Sequence, residues 1–266
     1  MNNVKISLQI HSVREAFQDD PEEALKRVKA IGYEGVELNY PAMKKAGKPA
    51  AIYAQALRRS GLKCFSFMIS LENLETDGLD YIIEYAKTLD AQMIVISAVS
   101  LNRLKEEAGY AQKALELIQM AAEVLGKAGF ATGYHNHDTD QYVVGEEKTF
   151  LEYLMSTMPQ SFAMVLDTGN MIAGGGDPIA MVKSFPGRSP IVHIKGYGQA
   201  DGYTTPVWET EIDWKEMIET AAALGGAKVM SIEFGKRGGY EPFDRAKQSF
   251  RWLKDQLNWN CCKKQI

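Results

Sequence analysis

Short apolar, β-prone runs alternate with helical segments along the whole chain, a pattern typical of parallel α/β folds. Eight such strand–helix units can be counted. The predicted strands are Val4–Ile10, Gly35–Leu38, Lys63–Ser66, Met93–Ile96, Ala131–His135, Ala163–Asp167, Pro190–Ile194 and Val229–Glu233. Because eight units fill the 266 residues without a linker, the pattern favours a closed barrel over a doubly wound sheet. We therefore predict an α/β fold, a single (β/α)8 TIM barrel over residues 1–257, followed by a polar C-terminal tail over residues 258–266.

The helical segments carry start signals. An aspartate, in two cases followed by proline, stands before three of them, at the position where helix N-caps are favoured. These predicted helices are Glu22–Ile31, Ile179–Phe185 and Trp214–Leu224. The longest predicted helix lies near Glu106–Ala128 and carries apolar residues on one stripe, as expected for packing against the outside of a sheet.

The charge balance disfavours a nucleic-acid partner. The chain has 30 Lys and Arg against 34 Asp and Glu, so the basic excess expected of a phosphate-backbone binder is missing. The N-terminal residues do not follow the pattern of a secretory signal, and no apolar stretch approaches the roughly 18 residues of a membrane span. Cys64, Cys261 and Cys262 have the spacing of neither a disulfide framework nor a zinc site. The sequence therefore predicts a cytoplasmic protein with no membrane partner.

Chemically active side chains stand at the ends of the last four predicted strands. In barrels of this kind the active site lies at the C-terminal ends of the strands. The candidate metal ligands there are His135, Asp167, His193 and Glu233. Two imidazoles and two carboxylates suit Mn, Co, Zn or Fe, and serve Mg less well. All four histidines of the chain fall at predicted strand ends, which favours a joint site over chance placement.

Individual residues of this set keep structural alternatives. Asp167 fits a helix cap or turn as well as a metal ligand. His135 and His137 point the same way along an extended strand, so one can bind metal while the other holds substrate or shuttles a proton. Alternatively, the two histidines have a structural role, in which their side chains form hydrogen bonds that close a turn. Lys195 fits either stabilisation of a substrate oxyanion or a solvated loop position.

A second group of residues is expected to line the mouth of the barrel. His11, Arg14 and Glu37 end or follow the first two predicted strands, and Arg14 and Glu37 fit equally a structural ion pair. Arg237 lies in a glycine-rich segment after the last strand, a region where barrels often bind anionic groups. We predict substrate-binding roles for all four.

Several motifs together resemble the sugar phosphate isomerase/epimerase family, the xylose isomerase-like TIM barrels. The resemblance spans nearly the whole chain, and no single motif is specific on its own. The motifs are Leu8-Gln9-Ile10-His11-Ser12-Val13-Arg14-Glu15, Gly32-Tyr33-Glu34-Gly35-Val36-Glu37-Leu38, Tyr134-His135-Asn136-His137-Asp138, Asp167-Thr168-Gly169-Asn170, His193-Ile194-Lys195, Glu211-Ile212-Asp213-Trp214 and Ser231-Ile232-Glu233.

The resemblance implies one divalent metal ion held by four strand-end ligands. Manganese is the ion we expect first, with Co, Zn, Fe and Mg as alternatives. Asp167, His193 and Glu233 carry over directly, whereas His135 stands where epimerases of the family usually place a glutamate. Tyr-His-Asn-His is typical of one branch of the family. The resemblance also implies a dimer or tetramer, a homo-oligomer for which the sequence itself carries no signal.

Three further positions depart from that branch. Met68 stands where it often has a histidine, Gly196 where an acidic residue often follows the His-x-Lys motif, and His11 where tyrosine is commoner. The pocket of this chain is therefore expected to differ, and substrate identity is not carried over.

The leading functional hypothesis is a metal-dependent isomerase or epimerase of a keto-sugar or sugar phosphate. Glu233 would remove a proton to give an enediolate, His135 or His137 would return one, and Lys195 would stabilise the oxyanion. The first alternative is a lyase or dehydratase acting on a 3-keto-sugar or inosose. Two less favoured hypotheses are an endonuclease IV-like phosphodiesterase, for which four histidines are too few, and a noncatalytic sugar-binding barrel.

Overall fold

The computed structural model of the chain describes residues 4–145, 147–235 and 241–262. Eight parallel strands close into a barrel in the order β1-β2-β3-β4-β5-β8-β9-β10, and β6 and β7 form a separate antiparallel hairpin. The strands are β1 Lys5–Gln9, β2 Gly35–Asn39, β3 Lys63–Ser70, β4 Met93–Ser97, β5 Ala131–His135, β6 Val143–Gly145, β7 Lys148–Thr149, β8 Ala163–Asp167, β9 Ile191–Lys195 and β10 Val229–Glu233. The predicted single (β/α)8 barrel is confirmed.

Helices follow the barrel strands and form the outer layer. They are α1 Arg14–Asp19, α2 Pro21–Ile31, α3 Tyr40–Ala46, α4 Ala50–Ser60, α5 Leu71–Asp77, α6 Leu79–Thr88, α7 Leu101–Glu106, α8 Tyr110–Lys127, α9 Phe150–Thr157, α10 Thr168–Ala173, α11 Pro178–Ser184, α12 Trp214–Ala223 and α13 Pro242–Cys262. Short 3-10 helices span Ile10–Val13, Asp138–Gln141 and Val207–Glu209. The three helices with aspartate start signals are confirmed, although two begin one residue earlier than predicted, at Pro21 and Pro178. Asp20, Asp177 and Asp213 each accept a hydrogen bond from a first-turn N–H.

The prediction for the longest helix is wrong in two respects. The helix in the segment near Glu106–Ala128 is α8, which begins only at Tyr110, because Glu106 ends α7 and Gly109 adopts a left-handed conformation (φ +77°) that interrupts the helical path. The longest helix is α13, with 21 residues. Since α13 crosses residue 257, the first residues of the expected tail continue this helix, and the domain boundary itself stays a prediction.

The inside of the barrel has an apolar floor beneath a polar layer. Side chains alternate between the two faces of a strand, so residues two apart share a face. The floor consists of Phe65, Met68, Met93, Val95, Ala163, Val165, Ile191 and Val229. Asp167 follows Val165 by two positions, and His193 follows Ile191 by two. The floor therefore supports the layer in which the polar strand ends meet.

Gly133 lies in β5 two positions before His135. A Cβ at this glycine would stand 2.8 Å from the carbonyl oxygen of Ala163 on β8, so the two strands approach too closely for any side chain there. This contact fixes the spacing between the strands that carry His135 and Asp167.

Within the described ranges, no helix is both long enough and apolar enough to cross a membrane.

Candidate metal centre

Four side chains at the C-terminal ends of neighbouring barrel strands meet at one point. His135 ends β5, Asp167 ends β8, His193 lies in β9 and Glu233 ends β10. All four are buried, and one ligand atom of each lies within 4.8 Å of the others. Bonds of roughly 2.0–2.2 Å from one ion leave nitrogen and oxygen donors about 3–4.5 Å apart. The cluster, called here the ligand cluster, has the composition and nearly the spacing that one ion requires.

The two oxygens of Asp167 have different surroundings. Oδ1 accepts a 2.7 Å hydrogen bond from the N–H of Asn170 and so caps α10. Oδ2 is buried without a hydrogen-bond partner and lies 3.4 Å from Lys195 Nζ and 3.5 Å from His193 Nδ1. The helix-cap interpretation therefore holds for Oδ1, and the metal-ligand interpretation stays a prediction for Oδ2. A buried carboxylate oxygen without a hydrogen bond is costly, and its position fits a cation at the centre of the cluster.

His193 lies between carboxylates on both sides of its ring. Its Nδ1 is 2.9 Å from Glu233 Oε2, and its Nε2 is 2.9 Å from Glu37 Oε1. Burial alone would lower the pKa of His193, but Glu37, Asp167 and Glu233 together raise that pKa well above its usual value. A carboxylate on the outer nitrogen is the common arrangement behind metal-binding histidines, because it fixes the ring and its tautomer.

Glu37 lies beneath His193 and is completely buried. Its second oxygen, Oε2, accepts a 2.7 Å hydrogen bond from the Ser66 hydroxyl. Burial would raise the pKa of Glu37, but contact with His193 lowers it below its ordinary value. The structure thus puts Glu37 under the ligand cluster rather than in the barrel mouth, and its oxygens contact His193 and Ser66 instead of Arg14.

Lys195 and Glu233 form a buried ion pair. Lys195 Nζ is 2.9 Å from Glu233 Oε1 and donates a 3.0 Å hydrogen bond to Asn170 Oδ1. Burial would raise the pKa of Glu233, but Lys195 and His193 hold it well below its ordinary value. Burial would likewise lower the pKa of Lys195, but Asp167 and Glu233 raise it. Lys195 is only 7% exposed, so it is not a solvated loop lysine.

His135 and His137 occupy different places in the site. The His135 ring lies 4.5 Å from the His193 ring, and His135 belongs to the ligand cluster, which His137 does not enter. The His137 ring stands perpendicular to that of His135 at 4.9 Å, and its Nδ1 is buried without a hydrogen-bond partner. Burial is the largest cause that lowers the pKa of both imidazoles, so both are neutral near pH 7.

Two residues that sequence reasoning did not single out hold the strand ends in place. The Asn136 side chain bridges to the backbone of Asp167: Oδ1 accepts from its N–H at 2.7 Å and Nδ2 donates to its carbonyl at 3.3 Å. The Thr168 hydroxyl lies 3.0 Å from the His193 carbonyl oxygen and 2.9 Å from that of Lys195. Asn136 follows His135 and Thr168 follows Asp167. A polar residue directly after a predicted metal ligand is the sequence signal that could have identified both.

A cavity of about 320 Å³ lies between the segment that follows β1, the residues after β10 and the start of α13. His11 and Arg14 line this cavity, and Arg14 Nη1 lies 2.7 Å from His11 Nε2. Burial lowers the pKa of His11, and the Glu233 carboxylate acts in the opposite direction. Arg237 lies outside the described residues. The substrate-binding roles of these residues stay predictions.

The fold and the site together define the class of this protein. It is a (β/α)8 barrel with a candidate metal site, the His/Asp/His/Glu cluster, at the C-terminal ends of its strands. The chain matches the family described as xylose isomerase-like TIM barrel over residues 25–256, and it belongs to that family. The predicted membership of the xylose isomerase-like TIM barrels is thereby confirmed. No curated protein matches the chain.

Solved structures share the fold over nearly their whole lengths. A sugar phosphate isomerase/epimerase from Parabacteroides distasonis is 18% identical, with a TM-score of 0.75 over 94% of this chain and 93% of that one. The probable 3-DHS dehydratase of petrobactin synthesis from Bacillus anthracis is 16% identical, with a TM-score of 0.72 over 94% and 99%. The IOLI protein, solved with a zinc atom, is 13% identical, with a TM-score of 0.70 over 96% and 98%. At these identities the likeness establishes the fold.

Proposed function

We propose that the chain is a divalent-metal-dependent isomerase or epimerase of a keto-sugar or sugar phosphate. The observation that carries this proposal is the buried ligand cluster His135, Asp167, His193 and Glu233 at the C-terminal end of the barrel. Membership of the xylose isomerase-like family supports it, as does the likeness to a solved sugar phosphate isomerase/epimerase.

The residues present fit a divalent ion. Asp167 Oδ2 has no hydrogen-bond partner, and Glu37 backs the imidazole of His193. Two nitrogen and two oxygen donors favour Mn, Co, Zn or Fe. When bound, such an ion supplies a Lewis acid that polarises the substrate carbonyl and so acidifies the neighbouring C–H.

The chain's own groups would then move the proton. Glu233 is ionised and can accept a proton from carbon, and Lys195 beside it can donate a hydrogen bond to the developing enediolate oxygen. His137 is neutral. It follows β5, whereas Glu233 ends β10, and the two strands β8 and β9 lie between them in the barrel. The two bases therefore approach the substrate from different sides. Return of the proton to the neighbouring carbon gives an isomer, and its return to the opposite face gives an epimer.

One observation favours a lyase as the second candidate. Among the cluster carboxylates, Asp167 is completely buried, whereas Glu233 retains 7% exposure. His135 occupies the fourth position of the cluster, where a glutamate would supply a second carboxylate base. The enediolate would then expel a β-hydroxyl group, and the ammonium group of Lys195 would protonate that group, so that it leaves as water. A 3-keto-sugar or an inosose is the substrate class for this outcome.

The test is hydrogen exchange between substrate and solvent. The Mn²⁺-loaded protein is incubated in D2O with a panel of ketohexoses, their phosphates and inososes, and deuterium uptake and product formation are followed by NMR. We expect exchange with at least one member, and a loss of about 10²–10⁴-fold in Glu233→Gln at saturating Mn²⁺. Glu209→Gln, at an exposed glutamate of the loop after β9, is the matched control. Wild-type rates in the Glu233 variant, with equal metal content, would contradict the proposal.

A further inference from the structure

The loop between β9 and α12, residues 196–213, brings a tyrosine over the ligand cluster. The hydroxyl of Tyr203 is buried and has no hydrogen-bond partner in the described part of the chain, although its ring is partly exposed. Burial first, and then the Asp138 carboxylate, raise the pKa of the Tyr203 phenol, so it retains its proton. A buried hydroxyl without a partner is unfavourable unless a ligand satisfies it.

Tyr203 stands directly against the catalytic lysine. Lys195 Nζ lies 4.7 Å from the centre of the Tyr203 ring and 2.9 Å from Glu233 Oε1. The ammonium therefore contacts both the aromatic ring and a residue of the ligand cluster, and a cation–π contact stabilises this arrangement. Tyr197 packs edge-on against the same ring at 5.3 Å.

The backbone holds Tyr203 in this position. Its carbonyl accepts a 3.0 Å hydrogen bond from the N–H of Gly235, directly after β10, and a Cβ at Gly235 would stand 2.8 Å from the same oxygen. Two residues after Tyr203, the carbonyl of Thr205 accepts a 3.0 Å hydrogen bond from the Arg245 guanidinium. A Cβ at Gly196 would collide with that carbonyl oxygen. Two glycines thus allow the close approach of the segment that carries Tyr203.

We propose that Tyr203 is a substrate-binding residue whose hydroxyl forms a hydrogen bond with an oxygen of a polyhydroxylated substrate at the cluster. This inference rests on the proposed function and deepens it. The ring covers Lys195, and the hydroxyl forms a hydrogen bond with one oxygen of the substrate. Sites that place a buried polar group against a substrate hydroxyl discriminate against the analogue without that hydroxyl.

The test compares Tyr203→Phe with Tyr197→Phe in the Mn²⁺-loaded enzyme. Both variants keep the ring, and only the first removes the hydroxyl above Lys195. The probe is the ketose, ketose phosphate or inosose that exchanges fastest in the wild type, together with its monodeoxy analogues. We expect Tyr203→Phe to raise KM about 3–10-fold, with metal content and Tm unchanged, and Tyr197→Phe to stay within about twofold of the wild type. The effect of Tyr203→Phe should disappear for the one deoxy analogue that lacks the contacted hydroxyl.

The outcomes separate the two proposals. Normal exchange in the wild type with an unchanged KM in Tyr203→Phe overturns the role of Tyr203 alone. So does a change in KM that is equal for every deoxy analogue, since that result indicates a structural role. A wild-type protein that exchanges no hydrogen of any probe overturns the proposed function and the role of Tyr203 together.

Discussion

Glu37 Oε1 lies 2.9 Å from His193 Nε2, on the side of the imidazole opposite to Glu233. The side chains of Glu37 and His193 are completely buried, and the Ser66 hydroxyl donates a hydrogen bond to the other oxygen of Glu37. The contact orients the His193 ring so that Nδ1 faces the ligand cluster. We therefore expect Glu37 to act on a bound metal ion through His193 rather than by direct coordination.

Replacing Glu37 with glutamine tests this relationship. The variant keeps the shape of the side chain and removes the negative charge that orients and polarises His193. We expect the affinity for Mn²⁺ to fall about 10–100-fold, measured by competition with a chelator. Ser66→Ala, which removes the other partner of Glu37 but no charge, should lower the affinity less. Equal Mn²⁺ affinity in Glu37→Gln and the wild type would show that Glu37 has no such role.

Asn136 is expected to contribute more to stability than its small size suggests. Its side chain satisfies both the N–H and the carbonyl of Asp167, which are buried at the end of β8. Asn136→Ala removes both of these hydrogen bonds, and we expect a loss of about 2–4 kcal/mol in the free energy of unfolding. Urea denaturation measures this loss. Asn102→Ala, at an exposed asparagine of α7, should stay within about 0.5 kcal/mol of the wild type, and a similar small change at Asn136 would refute the bridging role.

Asp140 should make stability fall as the pH rises. Burial raises the pKa of its carboxyl from 3.8 to about 7. Between these two values the folded protein binds more protons than the unfolded chain, so the contribution of Asp140 is fully present below about pH 4 and is lost as the pH approaches 7. Tyr134 and the backbone N–H of His137 hydrogen-bond to the two oxygens.

Asp140→Asn removes this titration and keeps the shape of the side chain. Its unfolding free energy relative to the wild type should rise by up to about 1.4 kcal/mol per pH unit between pH 4 and 7 and then level off. Urea denaturation at a series of pH values measures the difference. Asp80→Asn, at an exposed aspartate of α6, should give a curve parallel to the wild type. A parallel curve for Asp140→Asn as well would rule out the raised pKa.

The eight strands and the cluster residues could be predicted from the sequence because both depend on local pattern. Strand ends in a parallel barrel converge whatever the loops do, so His135, Asp167, His193 and Glu233 were found without knowledge of packing. Asp167 shows the limit of that reasoning. Metal ligand and helix cap are alternatives at the level of the sequence, whereas in the structure Oδ1 caps α10 and Oδ2 is buried without a hydrogen-bond partner.

Other parts of the site depend on register and loop path, which no local pattern encodes. The predicted second strand and β2 both contain Glu37, but only the packing of the barrel shows that its side chain is buried against His193 and Ser66 rather than at the mouth. The position of Tyr203 depends on close approaches at Gly196 and Gly235 between segments that are distant in sequence. The sequence shows those glycines but not the neighbours that require them.

The most direct measurement is the metal content of the purified protein by elemental analysis. It compares the wild type, the double variant Asp167→Asn/His193→Asn, and Asp177→Asn, an aspartate that caps α11 outside the cluster. After reconstitution with Mn²⁺, Co²⁺, Zn²⁺ or Fe²⁺, we expect about one ion per chain in the wild type and in Asp177→Asn, and none in the double variant. Circular dichroism checks that the double variant is folded. A wild type that holds no metal, or a folded double variant that holds as much as the wild type, would contradict the ligand cluster as a metal site.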